Sequence, residues 1–203
     1  MNYKEQLRRF WKNEKNRMIL KDAFLFGVST LVFHFLYWHT NMNQWLFGPF
    51  TTEVFDFFTD ITYKCSRFLM LHFSDSQFDS LDTSFLFYRL NDLGVKEYYA
   101  RMDVIHDCSG IKQLMQFLLV MLLCPNKLYK RLLYFVCGSI VLMMANIYRI
   151  YYLTDLFSRE PENFQYVHDW VTRPLMYVVL FALWVIWIEF FARPKAVRTP
   201  DKR

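Results

Sequence analysis

The chain has 203 residues, 54% apolar and 20% aromatic, with 22 Phe, 13 Tyr and 6 Trp against only 5 Gly. Mean hydropathy is nonetheless only +0.07, so the apolar residues come in blocks between charged stretches, a membrane pattern that excludes one uniform soluble core. The net charge of +5 reads as topogenic charge beside lipid rather than a nucleic-acid footprint, because the basic residues cluster at the ends of apolar blocks.

Residues 1–22 form a basic, amphipathic approach to the membrane, with Lys4, Arg8, Arg9, Lys12, Lys15, Arg17 and Lys21. Residues 23–40 are the first predicted span. They are followed by His39-Thr40-Asn41-Met42-Asn43, which lacks the small residues of a cleavage site, so this block is not a removable signal. Residues 44–70 carry Glu53, Asp56, Asp60, Lys64 and Arg67 at spacings of three and four, with Val54, Phe57, Phe58, Ile61, Phe68 and Leu69 filling the other face. That pattern predicts an amphipathic helix packed on the bundle or lying in the outer interface. A fifth span is the alternative, and it would invert the side of everything after it.

Residues 72–107 are the main extracytoplasmic segment. Ser74 to Ser84 is loop-like, whereas Phe85–Tyr88 and Tyr98–Val104 are strand-like around Asn91-Asp92-Leu93-Gly94, which predicts a β-hairpin. Residues 108–192 form the helical core. Ile111–Cys124 is short for a span unless its helix begins near Ser109 and Lys127 and Lys130 snorkel. Leu132–Leu153 and Leu175–Ala192 match the roughly 20 residues that a bilayer core requires. The fold class is therefore a single all-α integral membrane domain of about four transmembrane helices with an amphipathic helix and a small external segment. Four spans place fifteen of the 24 basic residues on one side, on residues 1–22, the loop at 124–131 and the tail at 193–203. The positive-inside rule makes that side, with both termini, cytoplasmic at the cell membrane.

This topology brings three polar features to the external face. Cys108-Ser109-Gly110 stands where the external segment enters a helix. Asn146 and Arg149 share one helical face near the outer end of the next span, and His168 precedes the last span. An Arg and an Asn on one stripe inside lipid are costly, so a functional partner is expected. A thiol attacks as thiolate, favoured at a helix start and beside a cation. His168 can take the thiol proton and return it to a leaving amine. Arg149 can hold the thiolate, orient a carbonyl or stabilise an oxyanion.

A Cys-Ser-Gly motif, then Asn-x-x-Arg in a later span, then His, in this order, resembles the exosortase/archaeosortase family over about residues 105–190, in its compact branch. The resemblance implies a membrane cysteine peptidase/transpeptidase acting through a thioester. Its partners would be membrane proteins whose C-termini bear a recognition motif, a hydrophobic span and a basic tail, together with the bilayer and an amine acceptor. It also implies Cys108 as nucleophile, His168 as acid/base and Arg149 as positioning cation, with Asn146, Ser109 and Gly110 in support. No cofactor is implied, and no zinc motif such as His-Glu-x-x-His occurs.

Competing readings stay open. Simple hydrolysis is one. A non-enzymatic membrane assembly or transport factor, with Arg149 as a structural ion pair, is another. His106, two residues before Cys108, is a rival base. Cys65 and Cys108 could form an external disulfide, whereas Cys124 and Cys137 read as packing residues. Asp103, Asp107 and Asp169 read most simply as solvated, with Asp169–Arg173 an alternative pair.

Overall fold

Apolar runs poor in Gly and Pro become helices. The computed structural model describes residues 14–40, 42–124 and 126–192; the basic stretch before Glu14 and the tail from Arg193 lie outside the described residues. The chain divides into two compact units, Met1–Leu46 and Phe47–Arg203.

In the first unit, α1 (Glu14–His39) runs from a charged start into an apolar stretch whose Phe24, Leu31, Phe35 and Trp38 are exposed. Its last turn closes on itself. His39 Nδ1 meets the Phe35 carbonyl at 3.0 Å, and Thr40 Oγ1 donates to Leu36 O at 2.7 Å. The short α2 (Met42–Phe47) follows.

The second unit begins with a 3-10 turn, Gly48–Phe50, and α3 (Thr51–Phe73). The amphipathic helix predicted here exists, but the face it buries differs from the predicted one. Phe55, Thr59, Thr62, Tyr63, Ser66 and Met70 are buried, whereas Phe57, Phe68, Leu71 and Phe73 are exposed. Small hydroxyl side chains let two backbones approach closely, which is how helices associate in lipid. Ser66 Oγ accordingly donates to the Ile147 carbonyl of a neighbouring helix at 3.2 Å.

The segment expected to be external holds a three-stranded antiparallel sheet in the order β1 (Phe78–Leu81), β2 (Ser84–Leu90), β3 (Lys96–Asp103). The expected hairpin is its β2–β3 half; β1 falls in the stretch expected as loop, where Phe78-Asp79-Ser80-Leu81 is too short and polar to show alternation. The chain is mostly helical, as expected, and the small sheet has three strands where a two-stranded hairpin was expected. Register pairs Phe85 with Met102 and Phe87 with Ala100. Asn91 Oδ1 closes the turn by accepting the Leu93 and Val95 N–H groups. The period of two puts Phe85, Phe87 and Met102 into a core with Tyr63, Met70, Ile150 and Leu153, so the sheet is seated on α3 and the following long helix.

A 3-10 turn, His106–Cys108, leads to α4 (Ile111–Leu123), which stops before Pro125 with Cys124 extended, as a residue preceding proline prefers. Then come α5 (Leu128–Arg159), a 3-10 turn at Pro161–Asn163, α6 (Phe164–Val167), a π turn at His168–Thr172, α7 (Arg173–Trp187) and a π turn at Ile188–Ala192. Gly138 of α5 receives the Phe117 ring of α4, whose Cε1 would lie 2.4 Å from an added Cβ.

Among the described residues two helices are long and apolar enough to cross a membrane, Leu128–Arg159 and the continuous Pro161–Phe191. A third span results if Ala23–His39 and Met42–Phe73 are counted as one broken crossing. α4 is apolar but has 13 residues, about 20 Å of helix against a hydrocarbon core of about 30 Å. The helices therefore make this a membrane protein with two to three spans by length, where the sequence predicted four. Cys124 is buried as expected, but Cys137 is exposed, and no disulfide joins Cys65 and Cys108.

Candidate active site

The Cys-Ser-Gly turn is built by its backbone. Cys108 N donates to Ile105 O at 2.8 Å and Ser109 N to His106 O at 3.0 Å. Gly110 takes φ +81 at the start of α4, in the left-handed region that favours glycine. Ser109, 1% exposed, turns its Oγ towards the Ile111 N–H at 3.4 Å. Asn146 of α5 comes up beneath this turn. Its Nδ2 donates to the Cys108 carbonyl at 2.7 Å and would lie 3.0 Å from a Cβ on Gly110. The two sequence motifs are thus one object: the asparagine holds the turn that carries the thiol, and glycine leaves it room.

Arg149, one turn further along α5 and 5% exposed, spreads its guanidinium over three neutral acceptors. Nη1 reaches Asn146 Oδ1 at 3.5 Å, Nε reaches Thr172 Oγ1 at 3.4 Å, and Nη2 faces His168 Nε2 at 3.2 Å. Among the described residues no carboxylate lies within ion-pair reach of Arg149, so the reading of Arg149 as a structural ion pair finds no acid to pair with. A buried cation with only neutral partners is under-compensated, and an anion or developing oxyanion beside it is strongly favoured.

The imidazole's state follows from its neighbours. A guanidinium only donates, so His168 Nε2 presents its lone pair, and Nδ1–H donates to Asp169 Oδ1 at 3.0 Å. Asp169 is held in turn by Gln165 and by Arg173, the latter at 2.9 Å. Phe164 stacks on the imidazole, with ring centroids 5.6 Å apart and planes 13° from parallel. Thr172 Oγ1 donates to the His168 carbonyl at 3.0 Å, tying Arg149 to the π turn. Such turns occur frequently at functional sites.

The thiol is not held ionised. Burial pushes the Cys108 thiol up from its ordinary value, while the Ile105 hydrogen bond and the Arg149 charge offset part of that rise. Desolvation outweighs the Arg149 charge here, which leaves the expected proton acceptor, the imidazole of His168, in its role as candidate base. The rival His106 is turned to α3, its Nε2 2.7 Å from Asp56 Oδ1.

The six residues singled out in the sequence therefore lie in one neighbourhood. Sequence reasoning missed Asp169 as the imidazole's partner, and it missed Thr172 and Gln165. Gln165, Asp169 and Arg173 at successive spacings of four were the available signal. Thr172, four residues after His168, carries no signal of its own. Among the described residues no group of three His, Cys, Asp or Glu side chains could hold a metal.

A helical core with helices long and apolar enough to cross a membrane brings a thiol, a buried guanidinium and an oriented imidazole together. The family model described as Transmembrane exosortase (Exosortase_EpsH) matches residues 89–188, a stretch that contains all six residues, and the chain belongs to this exosortase family. It is a family of membrane cysteine transpeptidases. No curated protein and no solved structure matches the chain.

Proposed function

We propose that the chain cleaves C-terminal sorting signals of membrane proteins through a thioester on Cys108, and transfers the acyl group to an amine acceptor. The observation that carries this reading is Arg149, a buried guanidinium with neutral partners only, next to an uncharged thiol. In the acylation step the Cys108 proton passes to His168 Nε2, which releases Arg149 to accept it. Sulfur attacks the scissile carbonyl carbon, and the freed guanidinium meets the oxyanion. The C–N bond then breaks, and the leaving amine takes the proton back from His168. Asp169 orients the imidazole and stabilises its charged form, the arrangement that Asp–His pairs use in other acyl-transfer enzymes.

In this reading the chain crosses the cell membrane four times. α1, α4, α5 and the last helix are the crossings, and α4 is completed by Ser109–Gly110 and by snorkelling Lys127 and Lys130. Both termini are cytoplasmic and the site is external. An apolar groove of about 480 Å³, lined by Phe58, Leu114, Ile140, Met143 and Ile147 among others, fits the substrate's hydrophobic span. Met143 also packs at Gly110, which links that groove to the turn bearing the thiol.

The test is the processing rate per membrane-inserted molecule for wild type, Arg149→Lys and Arg149→Ala. Lysine keeps the charge and loses the planar fork. A preorganised donor of this kind is typically worth about a hundredfold to a thousandfold in rate. Near-normal turnover by Arg149→Lys would remove Arg149 from the chemistry and take the transpeptidase reading with it.

A further inference from the structure

The sheet has one edge that the acylation step does not use. On one side of β2, Tyr88 N donates to Gln77 O at 3.2 Å; on the other, Val104 N donates to Thr83 O at 2.9 Å. Bonded and non-bonded pairs alternate along an antiparallel ladder, and the register sets Thr83 and Phe85 opposite Val104 and Met102. Val104 and Met102 therefore turn their main-chain groups to β2, and Arg101 and Asp103 turn theirs away from it. Among the described residues no hydrogen bond reaches those outward N–H and C=O groups. Of the two sheet edges only β3 runs on into the thiol turn, with Val104 and Ile105 alone between Asp103 and the turn His106–Cys108. The ladder is irregular at Phe87/Tyr88, so the regular part of this edge is the part nearest the thiol. Such irregularities occur beside active sites, where they end pairing. A row of rings also joins the sheet to the imidazole, Phe87 to Phe157 at 6.3 Å, Phe157 to Phe164 at 5.2 Å and Phe164 to His168 at 5.6 Å.

We infer that this edge is the subsite for the extended segment of the substrate that precedes the scissile bond, which docks there as an added strand; the inference rests on the acyl-transfer reading above. The order of features along the chain commits the edge to this occupant. Arg101 and Asp103 come first, then Cys108, then Leu114 of the apolar groove. The substrate of that reading has the same order: extended segment, scissile carbonyl, hydrophobic span. Laid alongside in the same direction, its three parts meet the edge, the thiol and the groove in turn. The added strand is therefore parallel to β3. Arg101 and Asp103 donate their N–H groups to its carbonyls and accept N–H groups from residues further along it. Main-chain bonds of this kind give affinity, and alternate side chains give specificity. On one face those side chains fall beside Ala100 and Met102 of the apolar core. On the other they fall beside the Arg101–Asp103 ion pair at 2.7 Å. The recognition segment should accordingly alternate apolar and polar residues. From Asp103 to Cys108 the chain rises at most about 13 Å, or about four extended residues, so the paired segment ends about four positions before the scissile bond.

The experiment has two arms on the full chain in vesicles. The probe is a membrane protein whose C-terminus bears an extended segment, a hydrophobic span and a basic tail. The first arm is amide hydrogen exchange in Cys108→Ala, which holds the probe without turning it over. The Arg101 and Asp103 amides should exchange freely in the chain alone and slow about tenfold or more with the probe. The Met102 and Val104 amides, already bonded to β2, should stay protected throughout. Unchanged exchange at Arg101 and Asp103, while wild type processes the probe, overturns the strand site and leaves acyl transfer standing. Slowed exchange there without any processing by wild type would sink the acyl-transfer reading and leave the edge as a strand-binding site. Neither slowed exchange nor processing overturns both. Protection in the chain alone, growing with its density in the vesicle, assigns the edge to a second copy and overturns the inference. The second arm compares Arg101→Pro with Arg101→Ala in the chain that keeps Cys108. Both lose the guanidinium, and proline also loses the outward N–H, at an edge position that tolerates it. Arg101→Pro should need about threefold to tenfold more probe for half-saturation than Arg101→Ala, with turnover at saturation alike. Equal half-saturation overturns the main-chain pairing, and if Arg101→Pro does not insert, the exchange arm decides.

Discussion

Gly110→Ala separates the architecture of the thiol turn from general stability. The left-handed conformation costs a residue with a Cβ about 1–2 kcal/mol. The new Cβ would also sit 3.0 Å from Asn146 Nδ2, 3.3 Å from its Cγ and 3.3 Å from Met143 Sδ. Asn146 is fully buried and must give by a few tenths of an ångström, straining its 2.7 Å bond to the Cys108 carbonyl. That bond is worth about 0.5–1.5 kcal/mol, so the combined cost is about 1.5–3.5 kcal/mol. Gly94→Ala is the internal control. Its φ is +74 with nothing within 4 Å of the added Cβ, so it carries the backbone strain without the contact. The assay is thermal unfolding in detergent together with processing per inserted molecule. Gly94→Ala should lose stability alone. Gly110→Ala should also lose about tenfold to a hundredfold in processing, as a displaced nucleophile does. Equal processing by the two variants would refute the claim that Asn146 and Gly110 position the thiol.

Four further outcomes follow from the same contacts. Asp169→Asn removes the charge opposite His168 Nδ1 and should lower processing about a hundredfold or more with insertion intact, read from rates normalised to inserted protein. Gly138→Ala drives a Cβ to 2.4 Å from Phe117 Cε1, and overpacking of this kind should cost about 1–3 kcal/mol in thermal unfolding. Because burial holds the Cys108 thiol up while Arg149 pulls it down, iodoacetamide alkylation of Cys108 should keep rising with pH beyond the range of an ordinary thiol. Arg149→Ala should move that profile further up, slowing alkylation at neutral pH. For topology, a membrane-impermeant maleimide should label the exposed Cys65 in intact cells, whereas Lys130→Cys should react only after permeabilisation.

The parts of this molecule that sequence made legible are those with a local period or a composition. The apolar blocks became α1, α4, α5 and the last helix, and alternation revealed β2 and β3. The order Cys108, Asn146, Arg149, His168 pointed to the candidate site because the ordered motifs resemble the exosortase family's and an Arg with an Asn on one stripe is costly beside lipid. Contacts between distant segments were not legible. His106 meets Asp56 across 50 residues, and no local rule announces that. α3 was read by its large apolar side chains, yet it packs through Thr59, Thr62 and Ser66. Small hydroxyl side chains allow the close backbone approach that joins α3 to α5, and the large apolar side chains of α3 are left facing outward. Asp169 was read as solvated because a carboxylate beside a histidine in sequence does not ordinarily face its ring; the π turn at His168–Thr172 supplies the geometry.

The central claim is that Cys108 carries the acyl group. Its most direct test is mass spectrometry of the inserted chain, quenched in acid during turnover of a substrate bearing a hydrophobic, basic-tailed C-terminus. The account predicts a hydroxylamine-labile adduct on Cys108 with the mass of the substrate's N-terminal fragment, and neither adduct nor processing in Cys108→Ala. Processing that persists in Cys108→Ala, or an adduct on any other residue, would contradict it.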